Sequence, residues 1–203
     1  MNGTENGEFD STIDESHLFK NEKVKEVYDM HPLYQIPELS TPVDVVDKGP
    51  YKLTSGAIYI GQWQSDLKKR AGKGRQVWTD GSLYEGQWLN GKANGIGRLI
   101  HSDGDIYEGE WCDDKANGKG KYMHFDGAIY EGDWKDDKQH GYGVETWPDE
   151  ARYEGAYING TKHGKGRFFW HDGASYEGQF RLNDISGKGK YTWSDGRSYY
   201  GDW

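Results

Sequence analysis

The chain has a single cysteine, Cys112, in 203 residues. That excludes an intramolecular disulfide framework and any cysteine-cluster metal site. It has no apolar run approaching the roughly twenty residues of a membrane helix, and no signal-peptide core near the start, so neither a span nor a leader is expected. The glycosylation sequons at Asn2 and Asn159 then read as chance matches, and a reducing, soluble compartment is expected. An excess of base is missing too, since 25 Lys and Arg stand against 34 Asp and Glu. Nothing resembles the basic footprint of a nucleic-acid binder. Apolar residues reach only 33%, too few for a thick aliphatic core.

What is abundant is glycine, 30 residues, and aromatics, with nine Trp, fifteen Tyr and six Phe. This mixture suggests a thin structure in which rings replace branched aliphatics. The charge is uneven. Residues 1–50 hold 11 acids and 4 bases, a net −7, whereas 51–203 hold 23 acids and 21 bases, a net −2.

A repeat organises the second part. Tyr84-Glu85-Gly86-Gln87-Trp88 recurs every 23 residues, at Tyr107–Trp111, Tyr130–Trp134, Tyr153–Tyr157, Tyr176–Phe180 and Tyr199–Trp203. Tyr59–Trp63 starts the series two residues out of step. Eleven residues after each tyrosine from Tyr84 to Tyr176 comes a Gly-x-Gly (Gly95/Gly97, Gly118/Gly120, Gly141/Gly143, Gly164/Gly166, Gly187/Gly189), and an Asp-Gly turn precedes most following repeats.

With the tyrosine as position 0, each repeat is expected to be two antiparallel strands. Position 0 should face 15, position 1 face 14, position 2 face 13, and position 4 face 11 across a turn of about six residues. Period-two alternation then puts Tyr, Gly and Trp on one face. All nine tryptophans fall in two columns of that face: position 4, with Trp111 and Trp134, and position 17, with Trp147, Trp170 and Trp193. Rings are expected to lie over the space the glycines leave empty. The opposite face carries Glu at position 1 beside Arg or Lys at position 14, except where Val144 leaves Glu131 without its partner.

Residues 1–50 read as an acidic, largely extended or disordered tail, with a short helix expected within 17–30 and ended by Pro32. Residues 51–203 read as the array, six hairpins with a half-repeat at each end. Val43–Val46, starting after Pro42, is expected to pair with 51–55 and cap the first edge. The strand at Tyr199–Trp203 is expected to expose the other.

No catalytic, cofactor-binding or metal-ligating residue stands out. Gly187-Lys188-Gly189-Lys190-Tyr191-Thr192 lacks phosphate-loop spacing and belongs to the repeat. Cys112 has no identifiable base. His101 and His124 replace tryptophan in a packing column, and Asp103-Gly104-Asp105 lacks the remaining calcium ligands. The expected function is protein interaction. The candidate groove comprises Tyr107, Trp111, Tyr130, Trp134, Trp147, Tyr153, Trp170, Tyr176 and Trp193, with Tyr199, Tyr200 and Trp203 as the docking edge. Expected partners are proteins docked through a helix or strand, or a second copy at the C-terminal edge.

The seven in-register copies resemble the MORN (membrane occupation and recognition nexus) repeat over about residues 56–203. The resemblance implies an all-β, single-layer antiparallel sheet, an elongated curved array of tandem hairpins. It also implies a non-catalytic scaffold without cofactor, cytoplasmic and associated with cytoskeletal or ciliary (axonemal) structures. Two alternatives come with it: a tether to phosphoinositides or a membrane surface, and the regulatory portion of a longer enzyme. The residues favour the first reading over lipid binding, because the glutamates neutralise the basic column and Lys68-Lys69-Arg70 is the lone basic cluster.

Overall fold

The computed structural model describes residues 7–31, 33–40, 43–66 and 68–203. Pro32 and Pro42, to which the sequence assigns a helix end and a strand start, lie outside them. The chain forms two compact units, residues 1–115 and 116–203. In each, antiparallel strands follow one another in chain order. After residue 50 the described residues contain no helix. The expected all-β sheet of tandem hairpins is what the structure has.

The first unit contains β1 (Gly7–Phe9), a single 3-10 turn (Glu15–Leu18), α1 (Glu22–Met30), β2 (Val45–Leu53), β3 (Ile58–Gln64), β4 (Arg70–Val77), β5 (Leu83–Leu89), β6 (Lys92–Ile100) and β7 (Ile106–Cys112). The second contains β8 (Lys115–Met123), β9 (Ile129–Lys135), β10 (Lys138–Thr146), β11 (Arg152–Ile158), β12 (Thr161–Phe169), β13 (Ser175–Arg181), β14 (Asp184–Thr192) and β15 (Ser198–Asp202).

The repeat at Tyr84 shows how these residues make the sheet. Tyr84 pairs with Leu99, Glu85 with Arg98, and Gly86 with Gly97, the expected register at positions 0 to 2. Nearer the turn the register differs from the expectation, because Trp88 pairs with Ala93. The turn is two residues, Asn90-Gly91, both with positive φ. Such a turn twists with the strands it joins, and Asn-Gly is its preferred sequence. The difference is absorbed by a bulge in β6, where Asn94, Gly95 and Ile96 oppose Gln87 alone. Gly95, with φ +74°, supplies the left-handed residue there. The side chain of Gln87 closes the gap, its Oε1 accepting the Ile96 N–H at 2.9 Å. The first glycine of each pair therefore serves the bulge, and Gly95 meets the tryptophan of the next repeat, Trp111.

The second glycine serves the core. The Tyr84 ring lies flat over the Gly86–Gly97 pair, and a Cβ on either would fall 2.3 Å from its hydroxyl oxygen. That hydroxyl donates to the Gln87 carbonyl at 3.0 Å. Trp88 meets Tyr84 and Tyr59 edge to face, at 5.1 and 5.3 Å between ring centres. Its indole N–H donates to the Gly74 carbonyl at 3.1 Å. The second unit repeats the herringbone through Tyr130, Tyr157, Tyr153, Phe180 and Tyr176, with neighbouring rings 5.0–5.3 Å apart. The position-4 column is buried along most of its length, since a one-layer sheet has no other place for a dry interior.

On the opposite face Glu85 and Glu177 each stand between bases on two neighbouring strands. Glu131 faces Val144 on one side but Lys121 on the other, so the partner it lacks in its own repeat is supplied by the preceding one.

The N-terminal residues include the short helix expected within 17–30, which is α1. Asn21 caps α1, accepting from the Lys23 and Val24 amides, and its Nδ2 donates to the Ser102 carbonyl at 3.0 Å. Val24 and Val27, with Ile13 and Leu18, are buried. Strand β2 starts at Val45, so Val43–Val46 does not fold back on 51–55. The strand beside 51–53 is β1, with Gly7 opposite Leu53 and Phe9 opposite Tyr51. Acidic composition hides this segment because the apolar residues that pack, Ile13, Leu18, Val24 and Val27, are few.

Candidate functional site

The nine residues assigned to a groove separate by depth. Tyr107, Tyr130, Tyr153, Tyr176 and Trp134 are core and offer no surface. Their rings pack over paired glycines or edge to face with one another, which is why they are periodic. Trp111 is half-buried, its indole N–H held by the Gly97 carbonyl at 3.1 Å. Trp147 and Trp170 are half-buried and Trp193 is 40% exposed.

In the second unit these three tryptophans join a strip. Trp147 stacks on Phe168 at 5.4 Å, and Phe168 meets Trp170 at 4.6 Å. Trp170 lies 5.2 Å from Tyr191, which contacts Trp193 at 4.9 Å and Trp203 at 5.8 Å. Phe168 and Tyr191 occupy position 15, opposite the core tyrosine, and were absent from the sequence-derived set. Their signal was available: position 15 shares a face with position 17, and aromatics fill both columns only in this stretch. A polar group closes the strip at Trp147. The Lys162 ammonium sits 5.0 Å from the Trp147 ring centre and pairs with Glu145 at 2.5 Å. Glu145 also accepts the Tyr157 hydroxyl at 2.9 Å. Burial pushes the Tyr157 phenol well above its ordinary range, with Glu145 adding to the effect, so Tyr157 stays a neutral donor.

The edge residues Tyr199 and Tyr200 on β15 and Trp203 just after it are exposed, and among the described residues β15 is paired on one side by β14. Trp203 still donates its indole N–H to the Gly189 carbonyl at 3.1 Å.

The first unit has a second polar constellation, whose Glu–Arg pairing the sequence predicts but whose cover it does not. On the outer face Glu85 lies between Arg75, at 2.9 Å, and Arg98, at 2.7 Å, with Glu85 and Arg98 both fully buried. The Arg98 guanidinium is covered by the rings of Tyr28 and Tyr34, 5.3 and 5.1 Å from their centres. Burial beneath this cover pushes the Tyr34 phenol up to about 12. Gln87 Nε2 donates to the carbonyls of Pro37 and Glu38, at 3.1 and 2.9 Å, while Lys73 pairs with the Glu38 carboxylate at 2.5 Å. The lone basic cluster is partly consumed as well. Arg70 turns inward over Trp88, 4.4 Å from its ring centre, and binds the Gly91 carbonyl.

Among the described residues no group of three or more His, Cys, Asp or Glu is placed to hold a metal ion, and no helix is long and apolar enough to cross a membrane.

No curated protein matches the sequence. Among solved structures, the TCP domain of Drosophila melanogaster SAS-4, in complex with a proline-rich motif of Ana2, is 12% identical. It covers 86% of this chain and all of that one, with a TM-score of 0.43. The G-box domain of the microcephaly protein CPAP is 14% identical over 74% of this chain and 77% of its own, with a TM-score of 0.40. Scores this low carry no functional argument. The sequence model of the MORN repeat matches six consecutive stretches, residues 59–83, 84–106, 107–129, 130–152, 153–175 and 176–196. Those stretches are the hairpins just described, and the chain belongs to the MORN repeat family.

Proposed function

We propose that this protein is a non-catalytic scaffold that docks a helix or strand of a partner protein on the aromatic face of its second unit. The observation that carries this reading is the strip Trp147–Phe168–Trp170–Tyr191–Trp193. Its five rings form a continuous row beside the core tyrosines, and none of them is fully buried. Tryptophan and tyrosine are the residue types that dominate interface energetics, because they offer large rigid area at little entropic cost. A partner helix with an apolar stripe would cover the rings and place a polar residue against the Lys162–Glu145 pair. The outer side of β15, with exposed Tyr199, Tyr200 and Trp203, is proposed as an accessory contact. MORN membership supports a setting in a cytoskeletal assembly, such as a cilium or axoneme. Lipid binding finds less support, since the outer-face bases are matched by glutamates.

The test is affinity capture with the full chain against its Trp170→Ala/Trp193→Ala variant. The variant should keep its fold by circular dichroism and lose a specific partner set that wild type retains in high salt. If both capture the same proteins, or wild type sediments with anionic vesicles in a salt-sensitive way and the variant does so equally, the aromatic strip is not the docking surface.

A further inference from the structure

The outer face of the first unit is covered by the chain's own Tyr28, Tyr34, Pro37 and Glu38, and four repeat lengths further on the same constellation recurs uncovered. Lys73, Arg75, Glu85, Gln87 and Arg98 correspond to Lys165, Arg167, Glu177, Gln179 and Lys190. The strand register is the same in both places. Lys73 faces Gln87, Arg75 faces Glu85, and Glu85 faces Arg98. Lys165 faces Gln179, Arg167 faces Glu177, and Glu177 faces Lys190. Even the amide rotamer agrees, since a Cβ on Gly95 would lie 2.0 Å from Gln87 Oε1 and one on Gly187 would lie 2.0 Å from Gln179 Oε1. In both repeats Oε1 is the amide atom at the bulge glycine, which leaves Nε2 as the donor for another partner. The difference is cover. Gln87 is 6% exposed beneath Pro37 and Glu38, whereas Lys165, Arg167, Glu177, Gln179 and Lys190 are all exposed. An open trough of about 480 Å³ lies over this second copy, flanked by Tyr142 and Tyr200.

No other repeat carries the set. Apart from Gln62, position 3 elsewhere is Glu110, Asp133, Ala156 or Asp202, none of which donates an amide. Gln62 has Asp47 opposite it where Gln87 has Lys73, so the cation is missing there.

We propose that the outer face around Gln179 binds a segment of a partner protein with the chemistry of residues 28–38. That segment presents two successive carbonyls to Gln179 Nε2, a carboxylate to Lys165, and an aromatic ring to Lys190. Charge favours an acidic occupant, because Lys165, Arg167 and Lys188 line the trough against Glu154 and Glu177, with Lys190 alongside. A second copy is a poor source of that segment, since its own 28–38 is held in place by the burial of Val24 and Val27 and by Arg98. The proposal rests on the protein-interaction reading but not on the aromatic strip, which lies on the other face of the sheet.

The test is fluorescence anisotropy of a labelled peptide of residues 28–38 titrated with the full chain. Saturable one-to-one binding is expected, weakened about tenfold or more by Gln179→Ala combined with Lys165→Glu, both exposed positions that leave the fold intact. A peptide carrying Glu38→Lys should bind as weakly, while Trp170→Ala/Trp193→Ala should change nothing. The inference is overturned by three results: no saturable binding, binding indifferent to the Gln179 and Lys165 changes, or self-association of the chain that Lys165→Glu abolishes. Loss of peptide binding with intact Trp170-dependent capture would refute this site alone; the reverse would refute the strip alone.

Discussion

At the scale of single residues, the glycines divide into those that yield space and those that yield backbone conformation, and substitution separates the two. A Cβ on Gly132 would lie 2.5 Å from the Gly143 Cα and 2.6 Å from the Tyr130 hydroxyl. The closest neighbour is backbone and cannot rotate aside. Gly132→Val should therefore cost about 3 kcal/mol or more, the upper end of overpacking in a core. A Cβ on Gly160 would meet nothing within 4 Å, and its burden is the φ of +86° alone. Gly160→Ala should cost about 1–2 kcal/mol. Chemical denaturation of both variants checks the order; equal losses would mean that ring-over-glycine packing contributes little.

At the scale of elements, one ladder position has two different energetic characters depending on what lies over it. Arg98 and Lys190 hold the same place in their repeats, each opposite a glutamate. Arg98 is buried under α1 and the residues that follow, and its removal leaves the equally buried Glu85 with Arg75 as its remaining partner at 2.9 Å. Breaking a buried pair from one side costs about 3–5 kcal/mol, so Arg98→Ala should destabilise the first unit by that order and raise amide exchange in α1. Lys190→Ala removes a solvated charge and should leave the melting temperature nearly unchanged. Hydrogen exchange with mass spectrometry reads both. The pairing itself was legible in the alternation of Glu and Arg columns. The cover was not, because α1 follows from a few apolar residues whose contact partners lie about sixty to eighty positions away. The two-residue turn was legible in Asn90-Gly91 and was obscured by the Gly-x-Gly, which invites pairing with Trp88 until the bulge at Gly95 is seen.

At the scale of the whole molecule, stability rests on a row of neutral phenols, which sets an alkaline limit. Desolvation raises the pKa of Tyr84, Tyr130, Tyr153, Tyr157 and Tyr176, and raises that of Tyr34 to about 12. The unfolded chain ionises these groups near pH 10. Their contribution is therefore complete below about pH 10 and is lost as the pH climbs through the folded values. Tyrosinate absorbance should show this buried set ionising only as the sheet unfolds; its ionisation near pH 10 with intact circular dichroism would contradict this. The repeat, its face alternation and the Glu–Arg ladder were determined by sequence alone, because period-two geometry and a 23-residue step leave each side chain one face to occupy. Which rings are core and which are surface was decided only in three dimensions. Position 0 lies over paired glycines and position 17 does not, and the height of a ring above a sheet depends on what the neighbouring strands place beneath it. The covered and uncovered copies of one polar constellation, at Gln87 and Gln179, are likewise identical in sequence pattern. Their difference arises from where the chain lays its own N-terminal segment, a choice made by contacts between residues distant in sequence.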